Sequence, residues 1–326
     1  MIFGVKMRKV CLLCKMKSAR FKQLLTTFTK ILIVFLACYF IYDRLSATGN
    51  EAVSPADAMS HFSVWEILLM LALSFGNRFT EILKWKNLVS SFQRISIGES
   101  ARQVLSAMTV SSITPGGVGE YGAKALYYDP SKAKKVVLLN VVCNGAQLLM
   151  TVFFGIFGLL YFNARREVIQ PETVLYAFGG LVALVVSLFF MKRFSIKGYS
   201  IQKLARKISV IPRRIHTKNL LLASVRYLFF SVQYFLLFRI FGVEIDGLLL
   251  ISAIASIYFL ASAVPTFQFL DFAIKGGVAV YFFEILGISQ WIPFWVTTIM
   301  WLLNVVVPVL IGSYFVLKFK LLWKSS

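Results

Sequence analysis

The sequence predicts an all-α polytopic membrane protein with about six full spans and two re-entrant helical hairpins related as an inverted repeat. Three observations lead there. The 326 residues are 58% hydrophobic and 15% charged, where a soluble domain carries about 25% charged residues. Several apolar runs reach roughly 18 residues, the length at which a segment reads as transmembrane. The formal net charge is +21, and the basic residues gather in loops and at the termini, as on the cytoplasmic face of a membrane protein. The same charge in a soluble chain would suggest nucleic acid. Here the basic and aromatic patches adjoin apolar spans, which argues against a nucleic-acid partner.

Residues 1–23 form a basic N-terminus with Lys6, Arg8, Lys9, Lys15, Lys17, Arg20 and Lys22 and no acid. That flank places the N-terminus in the cytoplasm. The apolar run at 24–42 has no small-residue cleavage site after it, so it reads as an uncleaved first span. Asp43, Glu51 and Asp57 then mark an outer loop, and a second span over 62–83 returns inside. Arg78 and Glu81 lie three positions apart and can pair on one helix face. Arg78 can equally snorkel to the inner interface. Lys84, Trp85 and Lys86 read as an interfacial anchor.

The next stretch, 111–124, should not form a continuous helix. Pro115 cannot continue one, and Gly116, Gly117 and Gly119 weaken one. The flanking helical segments, 99–113 and 118–128, are each shorter than the roughly 20 residues needed to cross a bilayer. They read as a re-entrant hairpin entered from the inside, with Glu120 and Lys124 on one face of its second half. Irregular backbone at membrane depth requires cover by protein or a water-filled cavity. A long span over 136–162 follows, with Asn140, Asn144 and Gln147 on a face expected to look into the bundle.

A mixed loop at 163–173 suits the outside, and a span over 173–191 returns. The cytoplasmic loop at 192–218 holds nine Lys and Arg and no acid. Ile201, Leu204, Ile208 and Ile211 recur in it at helical spacing, which suits either an amphipathic helix lying on anionic lipid headgroups or a solvated topology determinant. A span over 219–241 leads out, with Arg226 and Arg239 expected to snorkel near its ends. The hairpin pattern then returns over 248–286, with Pro265 as the break and Asp271 and Lys275 after it. The last span, 291–317, comes in and ends near 320, leaving a cytoplasmic tail at 321–326.

Both hairpins read acid-x-x-x-Lys after a proline, 151 positions apart. Charge bias puts their mouths on opposite faces of the membrane. Paired broken helices in inverted units are typical of secondary transporters with a site near the midplane. Intramembrane acids and lysines are costly and usually functional, although two internal ion pairs that merely stabilise the half-helices would give the same pattern. The substrate-binding candidates are therefore Pro115, Gly116, Gly117, Gly119, Glu120, Lys124, Asp271, Lys275, Arg78, Glu81, Asn144 and Gln147.

Cys11, Cys14, Cys38 and Cys143 include one Cys-x-x-C with no second pair, and His61 and His216 are far apart, so no metal site or other cofactor is expected. No Gly-x-x-x-x-Gly-Lys-Ser/Thr loop is present to bind a nucleotide.

On the segment 77–85, the Thr-Pro-Gly-Gly-Val-Gly-Glu run at 114–120 and the Pro265 hairpin, the chain resembles the lysylphosphatidylglycerol synthase transmembrane, or flippase-like, family. The resemblance covers roughly 25–320 as a single transmembrane domain. At 266–270 the sequence departs from the family's pattern, which usually has glycines there too. The resemblance implies a stand-alone member that moves a phospholipid or lipid-linked molecule between leaflets of the bacterial cytoplasmic membrane. It does not imply synthase activity, because no catalytic domain follows. In that reading Lys124 or Lys275 would hold a phosphate headgroup while Glu120 and Asp271 balance the charge. Two other classes stay open: a non-catalytic partner of an envelope-synthesis enzyme, and a membrane transferase working through Glu120 or Asp271. A homodimer and a neighbouring envelope-synthesis enzyme are the protein partners considered.

Overall fold

Two capping boxes start the first two long helices. The structure, a computed structural model, describes residues 55–114, 116–168, 170, 172, 195–196, 199–262 and 270–319. The expected spans at 24–42 and 173–191, together with Pro115 and Pro265, lie outside the described residues. After a short helix α1 (Pro55–Ser60), α2 runs over Val64–Val89. Ser63 Oγ accepts from the Glu66 amide, and the Ser63 amide donates back to Glu66 Oε2 at 2.7 Å. Helix α3 (Ile97–Ser112) repeats this arrangement with Ser96 and Glu99. Each box satisfies N–H groups that the first helical turn leaves without partners.

The break after α3 falls where the glycines predict it. Gly116 and Gly117 have φ of 57° and 68°, a left-handed region that costs glycine nothing. The Gly119 amide donates to Thr114 Oγ1 at 2.9 Å. A Cβ on Gly119 would sit 2.8 Å from the Val110 carbonyl, so the return of the chain onto the end of α3 requires glycine there. Helix α4 (Gly119–Ala125) follows, and neither it nor α3 is long enough to cross a bilayer core of about 30 Å.

Past one 3-10 turn, α5 spans Ala133–Arg166. A two-residue antiparallel ladder pairs Ser195–Ile196 with Tyr199–Ser200 and leads into α6 (Ile201–Ser209). The segment with the expected amphipathic spacing is helical, and Ile211 just beyond it is buried with Trp85, Leu88 and Val104. Next come α7 (Arg213–Ile240), α8 (Gly247–Ser262), α9 (Leu270–Ile285) and α10 (Trp291–Trp301). The last passes through a π-helical turn at Leu302–Val306 into α11 (Val307–Lys318).

Among the described residues, three stretches are long and apolar enough to cross a membrane: Pro130–Arg166, Arg213–Ile240 and Trp291–Lys318. Helix α2 has the length, with 26 residues, but carries Glu66, Arg78, Glu81, Lys84 and Lys86. The protein is thus a helical membrane protein with several apolar crossing helices.

Side-chain contacts fix how the helices run. Helices α2 and α7 are antiparallel: Asn87 Nδ2 donates to the Ile215 carbonyl near one end, Gly76 faces Phe229, and Gln233 Nε2 donates to the Met70 carbonyl near the other. Helix α3 lies antiparallel on α11, with Thr109 Oγ1 donating to the Val309 carbonyl and Leu105 facing Gly312. Helix α8 lies antiparallel on α5, with Gly155 against Phe259 and Gly158 against Ala255. Helices α5 and α7 run parallel, from Asn219 against the Val142 carbonyl to Tyr227 stacked on Phe154. Glycines let the crossing helices approach. A Cβ on Gly158 would lie 2.6 Å from Ala255 Cβ, and one on Gly312 would overlap the Leu105 carbonyl oxygen.

Candidate functional site

Helix α2 delivers Ser74, Asn77, Thr80, Glu81, Lys84 and, at its edge, Arg78 to the interior. They meet α4, α5, α7 and the π-turn. Glu81 is the hub. Its Oε2 accepts from Lys84 Nζ at 3.1 Å and from Arg226 of α7 at 2.7 Å, and its Oε1 accepts from the Cys143 thiol at 3.5 Å. Lys84 also reaches Gln147 Oε1 at 3.4 Å.

Beside this lies the hairpin's own pair. Lys124 is fully buried and donates to Glu120 Oε1 at 2.6 Å and to Asn140 Oδ1 at 2.7 Å. Its ammonium stands 4.4 Å above the Trp85 ring. Asn144 completes Glu120 by donating to Oε2 at 3.1 Å. Trp85 Nε1 and the Tyr128 hydroxyl both donate to Gln103 Oε1, at 2.6 and 2.8 Å. The α3–α4 hairpin is thereby tied to α2 behind the charged pair.

The third part forms around Asn304. Pro308 has no N–H to give to the Asn304 carbonyl, and the Val307 amide bonds one residue further back, to the Leu302 carbonyl. The Leu303 and Asn304 carbonyls take side-chain donors instead, from Ser74 Oγ at 2.8 Å and from Arg78 at 2.6 Å. Asn304 Oδ1 accepts from Asn77 at 3.0 Å, its Nδ2 donates to Gln233 at 2.9 Å, and Asn77 Oδ1 in turn accepts from Arg226 Nε at 2.9 Å.

The structure thus joins six of the twelve sequence candidates: Arg78, Glu81, Glu120, Lys124, Asn144 and Gln147. Gly116, Gly117 and Gly119 shape the turn before Glu120. Lys275 stands 5.4 Å over the Tyr258 ring between α9 and α8. Pro115 and the side chain of Asp271 lie outside the described structure.

Four expectations are corrected. Lys84 and Trp85 are not an interfacial anchor, since both are fully buried under the hairpin. Arg226 does not snorkel but binds Glu81 and Asn77. The close partners of Glu81 are Lys84 and Arg226 rather than Arg78. Arg239 does not snorkel free but ties down the loop after its helix, donating to the Val243 and Ile245 carbonyls. Sequence reasoning also missed Asn77, Gln103, Gln233 and Asn304. One signal was available: Pro308 four positions after Asn304 frees a carbonyl inside an apolar span.

Four formal cations, Arg78, Lys84, Lys124 and Arg226, face two carboxylates, Glu81 and Glu120. Counted over the described residues, the network carries a formal charge of +2. At about 4 Å and an effective dielectric near 20, unit charges interact by roughly 4 kcal/mol, so two unbalanced cations among packed helices are costly unless an anion joins them. The described residues hold no cluster of three or more His, Cys, Asp and Glu suited to a metal ion.

Set against models of known families, curated proteins and solved structures, the chain matches none.

Proposed function

We propose that this chain is a flippase-like transporter that moves a phospholipid or lipid-linked molecule across the bacterial cytoplasmic membrane, with both termini in the cytoplasm. The observation that carries the reading is the +2 network buried between α2, α4, α5 and α7, a site built for an anionic group at membrane depth. Arg226 and Glu120 keep 23% and 21% of their side-chain surface exposed, which leaves a way in.

The packing supports two inverted units. The first comprises α2, the α3–α4 hairpin and α5; the second comprises α7, the α8–α9 hairpin and α10–α11. The leading helices of the units, α2 and α7, lie antiparallel on each other. Each hairpin's first helix packs against the last span of the other unit, antiparallel in both cases, across a glycine of that span. Exchange of the units leaves this scheme unchanged. An axis perpendicular to α2 and α7 would lie in the membrane plane, as in transporters with inverted repeats. The resemblance of 114–120 to the flippase-like family points the same way.

The test is lipid movement by the purified protein in liposomes that contain fluorescent phospholipids, read by quenching with an impermeant reductant. The protected half of the label should be lost faster with wild type than with Glu120→Gln or Lys124→Ala. Loss no faster than in empty liposomes, across anionic and zwitterionic headgroups and a polyprenyl phosphate, would refute transport.

A further inference from the structure

The donors of the network decide which cations are free to meet a ligand. An ammonium has three N–H groups, and those of Lys124 meet Glu120, Asn140 and the Trp85 face. Lys84 is divided between Glu81 and Gln147 and is fully buried. Lys124, the residue expected to hold a headgroup, is therefore saturated by its own neighbours.

The arginines differ. A guanidinium has five N–H donors. Arg226 donates Nε to Asn77 and one terminal nitrogen to Glu81, and its side chain is part-exposed. Arg78 donates one terminal nitrogen to the Asn304 carbonyl, while its Nε is buried with no hydrogen-bond partner among the described residues. Both arginines are anchored on one support, because Asn77 and Asn304 bond to each other. Their remaining donors are thus held in place by hydrogen bonds rather than left on free side chains.

The geometry points to Arg78 and Arg226 as a two-arginine clamp for a dianionic phosphate, a phosphomonoester or diphosphate headgroup rather than a phosphodiester. This builds on the transport reading above and names its substrate class. Planar guanidinium groups match phosphate oxygens two at a time. A phosphomonoester carries about −1.5 to −2 at neutral pH, which cancels the +2 of the network. A phosphodiester carries one charge and leaves the network cationic.

The experiment is binding of phosphatidic acid, phosphatidylglycerol and inorganic phosphate to the purified full chain in nanodiscs of neutral lipid. Phosphatidic acid should bind at least about tenfold tighter than phosphatidylglycerol. That preference should shrink as the pH falls from about 7.5 to about 5.5, through the second phosphate ionisation near 6. Arg226→Gln and Arg78→Gln should each bring the two lipids level, with Arg226→Lys intermediate. Inorganic phosphate that competes with phosphatidic acid at equal affinity would make free phosphate the ligand of the same clamp. A wild type that binds both lipids alike overturns the clamp. So does a preference that survives in arginine variants melting like wild type. If the variants fail to fold, the wild-type preference and its pH dependence decide.

The two readings fail separately. Lipid movement without headgroup preference overturns the clamp and leaves transport standing. A phosphomonoester preference without lipid movement does the reverse.

Discussion

Lys124→Met tests the network at its most enclosed point. The substitution keeps the length of the side chain and removes the charge. It deletes contacts of 2.6 Å to Glu120 and 2.7 Å to Asn140 and the cation over Trp85. Asn140 Nδ2 already lacks a partner among the described residues, so the loss of its Oδ1 bond strips that amide. Breaking a buried pair by removing one partner costs about 3–5 kcal/mol. Glu120 keeps the Asn144 bond and is 21% exposed, which places the pair near the lower end of that range. The lost cation–π contact adds about 0.5–2 kcal/mol, so the expected destabilisation is about 4 kcal/mol. Glu120→Gln alone should cost about 3 kcal/mol, because it leaves Lys124 buried without its counter-ion. The double variant removes both charges and should cost about 4 kcal/mol, far less than the roughly 7 kcal/mol of additive effects. Equilibrium unfolding in mixed detergent and dodecyl sulfate micelles measures all four proteins, and fluorescence of Trp85, which touches Lys124, reports on the site. A Lys124→Met protein within about 1 kcal/mol of wild type, or single effects that simply add in the double variant, would refute the reasoning.

Gly312→Leu should lower stability by about 3 kcal/mol or more, since its side chain would meet the Leu105 carbonyl and Thr109 of α3, and Gly158→Leu should do the same at α8; dodecyl sulfate unfolding checks both. Asn304→Leu strips Asn77 and Gln233 of a buried partner each and should cost about 2–5 kcal/mol, by the same measurement. Gln147→Glu places a carboxylate near Lys84 and takes the network from +2 to +1, so it should raise stability by about 1 kcal/mol, whereas a carboxylate added to a neutral interior would lower it. For the orientation, cysteines at Asp57 and Glu244 should react with an impermeant maleimide from outside intact cells and one at Lys203 should not; the reverse pattern would invert the topology.

Among the described residues, helix placement was legible in the sequence where charge bounded an apolar run, as at Ala133–Arg166, Arg213–Ile240 and Trp291–Lys318. The glycines at 116, 117 and 119 located the break in the first hairpin. The spacing of Asn140, Asn144 and Gln147 identified the inner face of α5, and all three now meet a charged side chain of α2 or α4. The misread residues share one cause. A lysine–tryptophan pair at the end of a span has the same composition whether it rests on headgroups or lies beneath a hairpin, and only the tertiary placement of α3 and α4 distinguishes the two. Arg226 likewise looks like a snorkelling residue until α2 is set antiparallel beside α7. Asn304 sits alone in an apolar run, and its importance follows from the Pro308 break, which gives two carbonyls of that run to Ser74 and Arg78.

In the proposed two-unit reading the units are alike in packing, and their described residues differ in charge, which bears on where an anion would be held. Among the described residues, α2 and α4 supply Arg78, Glu81, Lys84, Glu120 and Lys124, whereas α7 and the π-turn supply Arg226 with the neutral amides Gln233 and Asn304. Arg226 is thus the one cation of the network to reach across from α7. It binds Glu81 with one nitrogen and Asn77 with another, so the contact between α2 and α7 is itself a charged one. A phosphate drawn to Arg226 would compete with Glu81 for it, and Glu81 would keep Lys84 as its counter-ion at 3.1 Å. Binding would then loosen the ion pair that holds α2 to α7 without leaving a buried carboxylate unpaired. That is the electrostatic requirement for a site in which the ligand, rather than the resting protein, sets how tightly the two units are joined.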